Sequence, residues 1–191
     1  MGLGAMVRAG LLALVCLLPA ACGLPITVQD TARLAPGQLG TGYDPDVTAV
    51  NLAQWAFADS GRIYGRPVEA ARAAAAMDYI AGELSTSPRW ANIPALTQEQ
   101  LLQGRREVRA ALWVAPGVRS QAVVDRLTAA ADALSRSDQA SALRELGPGV
   151  FTVPAEQVLA RLSNMPYLRM ANVSTMRAAN ELFEPGDSDW R

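Results

Sequence analysis

The chain has 191 residues, with 17 basic and 18 acidic side chains and a formal net charge of −1. It contains no histidine, and every basic residue is arginine. These absences exclude Ser-His-Asp triads, imidazole metal sites, lysine Schiff bases and P-loops. The near-neutral charge argues against nucleic acid as a partner, and we expect neither a metal site nor a cofactor.

The N-terminal segment has the order of features found in secretory signals. Arg8 precedes an uncharged apolar run over residues 9–18, and Pro19 ends that run. A membrane-spanning helix needs roughly 20 consecutive apolar residues, about twice the length of this run. The segment therefore predicts a cleaved signal peptide over residues 1–21.

Two alanines stand directly before Cys22, and Gly23 follows it. This arrangement resembles the signal of bacterial lipoproteins, in which a peptidase cleaves before a cysteine that carries a diacylglyceryl group. The resemblance covers residues 1–23, with Pro19 at the position where the pattern usually has leucine. It implies cleavage after Ala21 and lipidation of Cys22. Because Gly23 is not aspartate, it also implies passage to the outer membrane if the host has one.

Two other fates of the N-terminus stay open. Ordinary cleavage after Gly23 would discard Cys22 and release a soluble periplasmic protein. An uncleaved signal anchor is also compatible with the absence of charge between Ala9 and Asp30. The other cysteine, Cys16, lies inside the apolar run, so the mature chain would hold a single thiol. A lone thiol in an exported protein favours modification over a free group.

The mature chain divides into three parts by pattern. Residues 22–43 are rich in proline and glycine without a sustained period, which predicts a flexible tether that spans roughly 25 Å. Residues 44–184 place apolar side chains at three-and-four spacing between Pro/Gly turns, which predicts an all-α domain, a single bundle of about six helices. Residues 185–191 form an acidic tail.

Several helix starts can be predicted from capping residues. Asp44 is a predicted N-cap, with Pro45 at the first helical position. The alanine-rich segment 67–85 has the strongest helical pattern. Thr97 and Gln100 have the spacing of a capping box that would open another helix.

Aromatic side chains offer a candidate binding groove for a peptide, sugar or lipid, with arginine to contact an anionic group. Its candidate residues are Trp55, Tyr64, Arg66, Tyr79, Trp90 and Trp113. The alternative interpretation is that Trp55, Tyr79 and Trp113 belong to the hydrophobic core.

Carboxylates are the enzymatic route that this composition leaves open. Asp59 and Asp78 are predicted near the ends of adjacent helices, where one could act as a general acid on a glycan. The alternative for Asp59 is a solvated acid at a helix end. Arg105, Arg106 and Arg109 are predicted to form a solvated face that pairs locally.

These patterns predict a lipid-anchored bacterial envelope protein that faces the periplasm and acts by binding or scaffolding. Its expected partners are a membrane, through the lipid anchor, and an envelope protein or small ligand of unknown identity. One alternative is a small carboxylate-dependent hydrolase of glycan or peptidoglycan. Another is a periplasmic carrier of an apolar ligand.

Overall fold

The computed structural model describes residues 30–42 and 44–183. The predictions for residues 1–21, Cys22 and residues 185–191 fall outside these ranges. Within them the fold is all-α, as predicted, with one helix more than the six expected. The helices are α1 (Pro45–Ala58), α2 (Pro67–Thr86), α3 (Ala95–Ala111), α4 (Ser120–Ser135), α5 (Gln139–Glu145), α6 (Ala155–Ser163) and α7 (Arg169–Phe183).

Helix α2 is the centre of the bundle and contacts α1, α3, α4 and α6. It begins at Pro67, and the alanine run over residues 73–76 is fully buried. Short side chains let neighbouring helices approach closely, because interaxial distance depends on the side chains at the contact. The alanine-rich sequence therefore specifies both a helix and its central position.

Helix α7 packs across α3 and α1. A Cβ on Gly104 would lie 2.6 Å from Ser174 Oγ and 3.2 Å from Ala171 Cα, so the contact requires glycine. Glu107 Oε2 accepts the backbone N–H groups of Met170 at 2.7 Å and Ala171 at 2.9 Å. This places a carboxylate at the positive end of α7 and fixes that helix to α3.

Two predicted helix starts have different outcomes. Asp44 caps α1 by accepting N–H groups of the first turn, as predicted. The capping box of Thr97 and Gln100 is wrong, because α3 already begins at Ala95. The carbonyl of Pro94 accepts the first N–H groups of α3, including that of Thr97. Thr97 is therefore a buried residue of the first turn instead of a cap.

Residues 30–42 lie against the bundle. Ala32 and Leu39 are buried and belong to the hydrophobic core. The flexible tether predicted over residues 22–43 is therefore wrong for residues 30–42. The Pro/Gly composition of this segment indicates the lack of regular structure, but it gives no information about the apolar side chains that pack on the helices.

Candidate functional site

The Asp46 cluster comprises Asp44, Asp46, Tyr79, Arg89 and Trp90 beside the start of α1. The carboxylate of Asp46 is buried and accepts hydrogen bonds from the Tyr79 hydroxyl, from Trp90 Nε1 at 2.8 Å and from Arg89 Nη1 at 3.0 Å. Arg89 also pairs with Asp44, and its guanidinium lies 4.4 Å from the centroid of the Trp90 ring. The cluster thus ties α1 to α2 and to the turn that follows α2.

Three pKa values in this cluster are shifted by hydrogen bonding, charge and burial. The hydrogen bond from Arg89 lowers the pKa of Asp44 and raises that of Arg89 itself. Burial, followed by the hydrogen bond to Asp46, raises the pKa of the Tyr79 hydroxyl. With a raised pKa, Tyr79 remains protonated and acts as a hydrogen-bond donor. A nucleophilic role would need a lowered pKa.

Asp78 and Arg109 form a buried, bidentate ion pair between α2 and α3. Arg109 Nε lies 2.6 Å from Asp78 Oδ2, and Nη2 lies 2.7 Å from Oδ1. The side chains are 2% and 20% exposed. Burial opposes the charge on Arg109, but the hydrogen bond and the charge of Asp78 outweigh it and raise the pKa of Arg109. Bidentate geometry of this kind is the strong form of the interaction.

The Asp30 clamp extends this pair to the N-terminal segment and comprises Asp30, Asp78, Arg105, Arg109 and Ser120. Arg105 Nη1 donates to the carbonyl of Asp30 at 2.9 Å and to Ser120 Oγ at 3.2 Å. The backbone N–H of Ser120 donates to the Asp30 carboxylate, and Arg109 Nη2 donates to Ser120 Oγ at 2.9 Å. Burial lowers the pKa of Arg105. The clamp thus joins residue 30 to α3 and α4.

Two further contacts hold the residues around the clamp. A Cβ on Gly82 would lie 2.8 Å from the carbonyl oxygen of Asp30, so α2 approaches the segment at its backbone. The amide of Gln121 accepts the N–H of Arg33 at 2.7 Å and donates to its carbonyl at 3.1 Å. Residues 30–33 therefore contact α2, α3 and α4 together.

A different kind of site begins at Trp113, just past the end of α3. Its φ is 54°, and the bonds from Trp113 N–H to Ala110 and from Val114 N–H to Arg109 form a Schellman motif. The left-handed residue of that motif is usually glycine, so a bulky side chain there is strained. Thr152 holds the strained residue by donating its N–H and hydroxyl to the Trp113 carbonyl, at 2.9 and 3.1 Å.

The Trp113 groove is an open groove of about 360 Å³ lined by Trp113, Gln157, Ala160, Arg161 and Asn164. The guanidinium carbon of Arg161 lies 4.7 Å from the centroid of the Trp113 ring, within cation–π distance. Gln157, Arg161 and Asn164 follow at spacings of four and three along α6 and its cap, so they share one face. In the described part of the chain, Arg161 has neither a carboxylate nor a hydrogen-bond acceptor as partner.

No family model, curated protein or solved structure matches this chain. Over residues 30–42 and 44–183, no three His, Cys, Asp or Glu side chains are grouped so that they could hold a metal ion. None of the helices in those ranges combines the length and the apolar character that crossing a membrane requires.

The structure does not bring the six residues of the predicted groove together. Tyr79 and Trp90 lie in the Asp46 cluster, whereas Tyr64 and Arg66 are exposed just before α2. At 1.5 Å per residue, Tyr79 lies about 20 Å along α2 from Arg66. These two pairs therefore belong to separate regions of the molecule.

Trp55 and Trp113 also separate. Trp55 packs against the hydrophobic core, as the alternative interpretation held. Trp113 is partly buried and stacks with Arg161 instead. The N–H of Gly65 donates to the carbonyl of Ser163 at 2.8 Å, which brings the exposed turn before α2 to the end of α6. Of the predicted groove, Tyr64, Arg66 and Trp113 thus lie around α6.

The two candidate catalytic carboxylates have separate structural partners. Asp59 Oδ1 accepts the N–H of Gly61 at 2.8 Å and caps the short 3₁₀ turn after α1. Asp78 lies well inside α2, and both of its oxygens accept hydrogen bonds from Arg109. They do not form the pair of carboxylates that glycan hydrolysis uses.

The arginine cluster of α3 is only in part the solvated face that was predicted. Arg106 is exposed and pairs with Glu99 at 3.2 Å. The prediction is wrong for Arg105 and Arg109, which point into the Asp30 clamp. Their partners come from α2, α4 and the N-terminal segment, and the local spacing along α3 carries no information about them.

The sequence did not indicate the buried hydrogen bonds of Asp46 or the polar face of α6 formed by Gln157, Arg161 and Asn164. The spacing of that face could have been found, because polar residues at i, i+4 and i+7 form a stripe on a helix. Asp46 gave no such signal. Its partners lie 33, 43 and 44 residues further along the chain.

Proposed function

We propose that this chain is a lipid-anchored protein of a bacterial cell envelope that acts by binding or scaffolding. Residues 1–21 would direct export, and acyl chains on Cys22 would hold the mature chain to a membrane. That membrane would be the outer membrane where the host has one. The helical domain would face the periplasm and present its surface to an envelope protein or a small ligand.

The observation that carries the proposal is the Asp30 clamp. Because residues 30–42 are part of the folded domain, only residues 22–29 separate the proposed anchor from the bundle. Eight residues reach at most about 29 Å, at about 3.6 Å each, whatever their conformation. The domain would therefore act close to the membrane surface. A domain that is anchored this close to the membrane would be suited to binding or scaffolding at its surface.

The hydrolase alternative receives less support from the contacts of its candidate residues. A general acid must reach the leaving group of its substrate at hydrogen-bond distance. Asp78 is buried and bonded to Arg109, and Asp59 caps a turn. Neither carboxylate is presented to a glycan in this arrangement.

The carrier alternative has a candidate cavity, but a small one. A cavity of about 220 Å³ lies between residues 34–42 and the first turn of α1. Sites for drug-sized ligands typically measure about 300–1,000 Å³. The Trp113 groove is larger and presents both an aromatic ring and a cation, so it supports a role in binding at the surface.

The two cysteines provide a matched test of anchoring. We expect the wild-type protein and Cys16→Ser to be found in the membrane fraction of the host, with an acylated cysteine at the mature N-terminus. Cys22→Ser should move to the soluble fraction, because the thiol that would carry the lipid is absent. Fractionation and mass spectrometry of the N-terminal peptide measure both outcomes.

Membrane retention of Cys22→Ser would contradict the proposal. A mature wild-type N-terminus that is unacylated, or that begins with a residue other than cysteine, would contradict it as well. If the Cys16→Ser protein were also lost from the membrane fraction, the loss would reflect impaired export of the variants and not the absence of the lipid.

A further inference from the structure

The guanidinium N–H groups of Arg161 have no acceptor among the residues that the structure describes. Its side chain is half-buried over Trp113, and the other groove residues, Gln157, Ala160 and Asn164, add no charge. Stacking on an aromatic ring fixes the guanidinium plane while its N–H groups stay accessible at the edge. Such a fork matches the two oxygens of a carboxylate. The groove therefore favours an anionic group on its ligand.

Trp113 occupies a backbone position that favours glycine. Ser137, with φ 60°, takes the same position after α4 and carries only a small exposed side chain. Trp55 and Trp90 pack against the hydrophobic core, whereas Trp113 does not, so core packing does not account for its strain. Strained residues cluster at ligand sites, where the surrounding structure holds them in place. Here the strained residue is partly buried and borders an open groove.

Gln157 and Asn164 flank Arg161 with one amide each. A side-chain amide both donates and accepts hydrogen bonds, as does a sugar hydroxyl or an N-acetyl group. The groove is open and lies at the small end of the range for ligand sites. A ligand there would cover the aromatic ring with one face and keep its other face in water.

We propose that the Trp113 groove binds a saccharide that carries a carboxylate. A sugar ring would pack against the part of the Trp113 ring that borders the groove and that Arg161 leaves uncovered, its carboxylate would pair with Arg161, and its hydroxyl or N-acetyl groups would bond to Gln157 and Asn164. The inference rests on the binding role proposed above and names the class of its ligand. It does not depend on the lipid at Cys22.

Two disaccharides that differ by one lactyl ether, the group that carries the carboxylate, test the inference. The full chain, purified in detergent, is titrated calorimetrically with N-acetylglucosaminyl-N-acetylmuramic acid and with chitobiose, which lacks the lactyl carboxylate. We expect the muramyl sugar to bind at least about 10-fold more tightly, because a charge-assisted bidentate bond is lost with chitobiose. Free lactate, the anion without the sugar, should bind at least about 10-fold more weakly than the muramyl sugar.

Matched variants assign the effect to the groove. Arg161→Gln should remove the preference for the muramyl sugar, and Arg161→Lys should restore only part of it, because lysine keeps the charge but not the fork. Trp113→Gly should weaken both sugars by about 10-fold or more, since stacking is lost. Arg126→Gln and Ser137→Gly change an exposed, paired arginine and the equivalent left-handed residue elsewhere. Both should bind like the wild type.

Equal affinity for the two disaccharides, or no binding of either, would overturn the inference. So would lactate that binds as tightly as the muramyl sugar, or wild-type binding by Arg161→Gln. The fractionation test at Cys22 is independent of these outcomes. If the Cys22→Ser protein were retained in the membrane but still bound the sugar, the proposed lipid anchor would be refuted and the proposed ligand would be supported.

Discussion

The Asp30 clamp and the Trp113 groove use arginine in opposite ways. In the clamp, Arg109 donates to both oxygens of Asp78, to the Val118 carbonyl and to the Ser120 hydroxyl. In the groove, Arg161 lies on an indole and has no acceptor among the described residues. The first side chain stabilises the fold because its donors are satisfied internally. The second leaves its donors to an outside group.

The backbones of the two regions also differ, because one is held by hydrogen bonds and the other is strained. Residues 30–33 reach the bundle through several hydrogen bonds and a glycine that removes a steric obstacle. The groove instead holds Trp113 in a left-handed conformation that costs roughly 1–2 kcal/mol for an L-residue. The hydrogen bonds of the first region stabilise the fold. The second region retains a strained backbone at Trp113, which a ligand site can explain.

The largest expected effect comes from removing the buried cation. Arg109→Met should lower the free energy of unfolding by about 3–5 kcal/mol, because it leaves the Asp78 carboxylate buried without a partner. Arg161→Met should cost about 1 kcal/mol or less, the value of a partly exposed cation–π contact. Urea unfolding of both variants measures the difference. Equal losses in the free energy of unfolding would contradict the proposed difference between Arg109 and Arg161.

An intermediate effect is expected where α2 meets the N-terminal segment. Alanine normally stabilises a helix over glycine by about 1 kcal/mol, but a Cβ on Gly82 would lie 2.8 Å from the Asp30 carbonyl oxygen. Gly82→Ala should therefore destabilise the protein by about 1–3 kcal/mol. It should also speed amide exchange in residues 30–42. A more stable variant with unchanged exchange would show that the segment does not dock as described.

The smallest effects should come from the two left-handed residues. Ser137→Gly should stabilise the protein by about 1 kcal/mol, because glycine adopts this conformation without strain. Trp113→Gly should destabilise the protein by about 1–2 kcal/mol, because relief of strain offsets only part of the burial and of the Arg161 contact that are lost. Thermal unfolding of both variants checks this. A loss near the roughly 3–5 kcal/mol of a core tryptophan would make Trp113 a packing residue.

The helical fold could be predicted because its signals are local. Asp44 and Pro45 mark the start of α1, and apolar spacing over a few turns defines α2 and α4. The docked segment could not be predicted in this way. Asp30 meets Ser120, 90 positions further along the chain, and Arg33 meets Gln121 across 88. Composition alone presented those residues as a loop without partners.

The candidate site was predictable only in part. Trp113 was singled out as an aromatic residue that could face a groove, but its five proposed companions lie elsewhere or only near it. The apolar spacing of α6 indicates its buried face, formed by Val158 and Leu162, and gives no information about the polar face that carries Arg161. A helix has two faces, and the exposed face holds the residues that a ligand can reach.

The Asp30 clamp also determines how a mechanical load would enter the molecule. A pull on the chain before residue 30 would act on α2, α3 and α4 at once, because residues 30–33 contact all three helices. Contacts loaded together resist force better than contacts peeled apart one by one. Tension applied at that end would therefore be shared by three helices and not taken up by residues 30–42 alone.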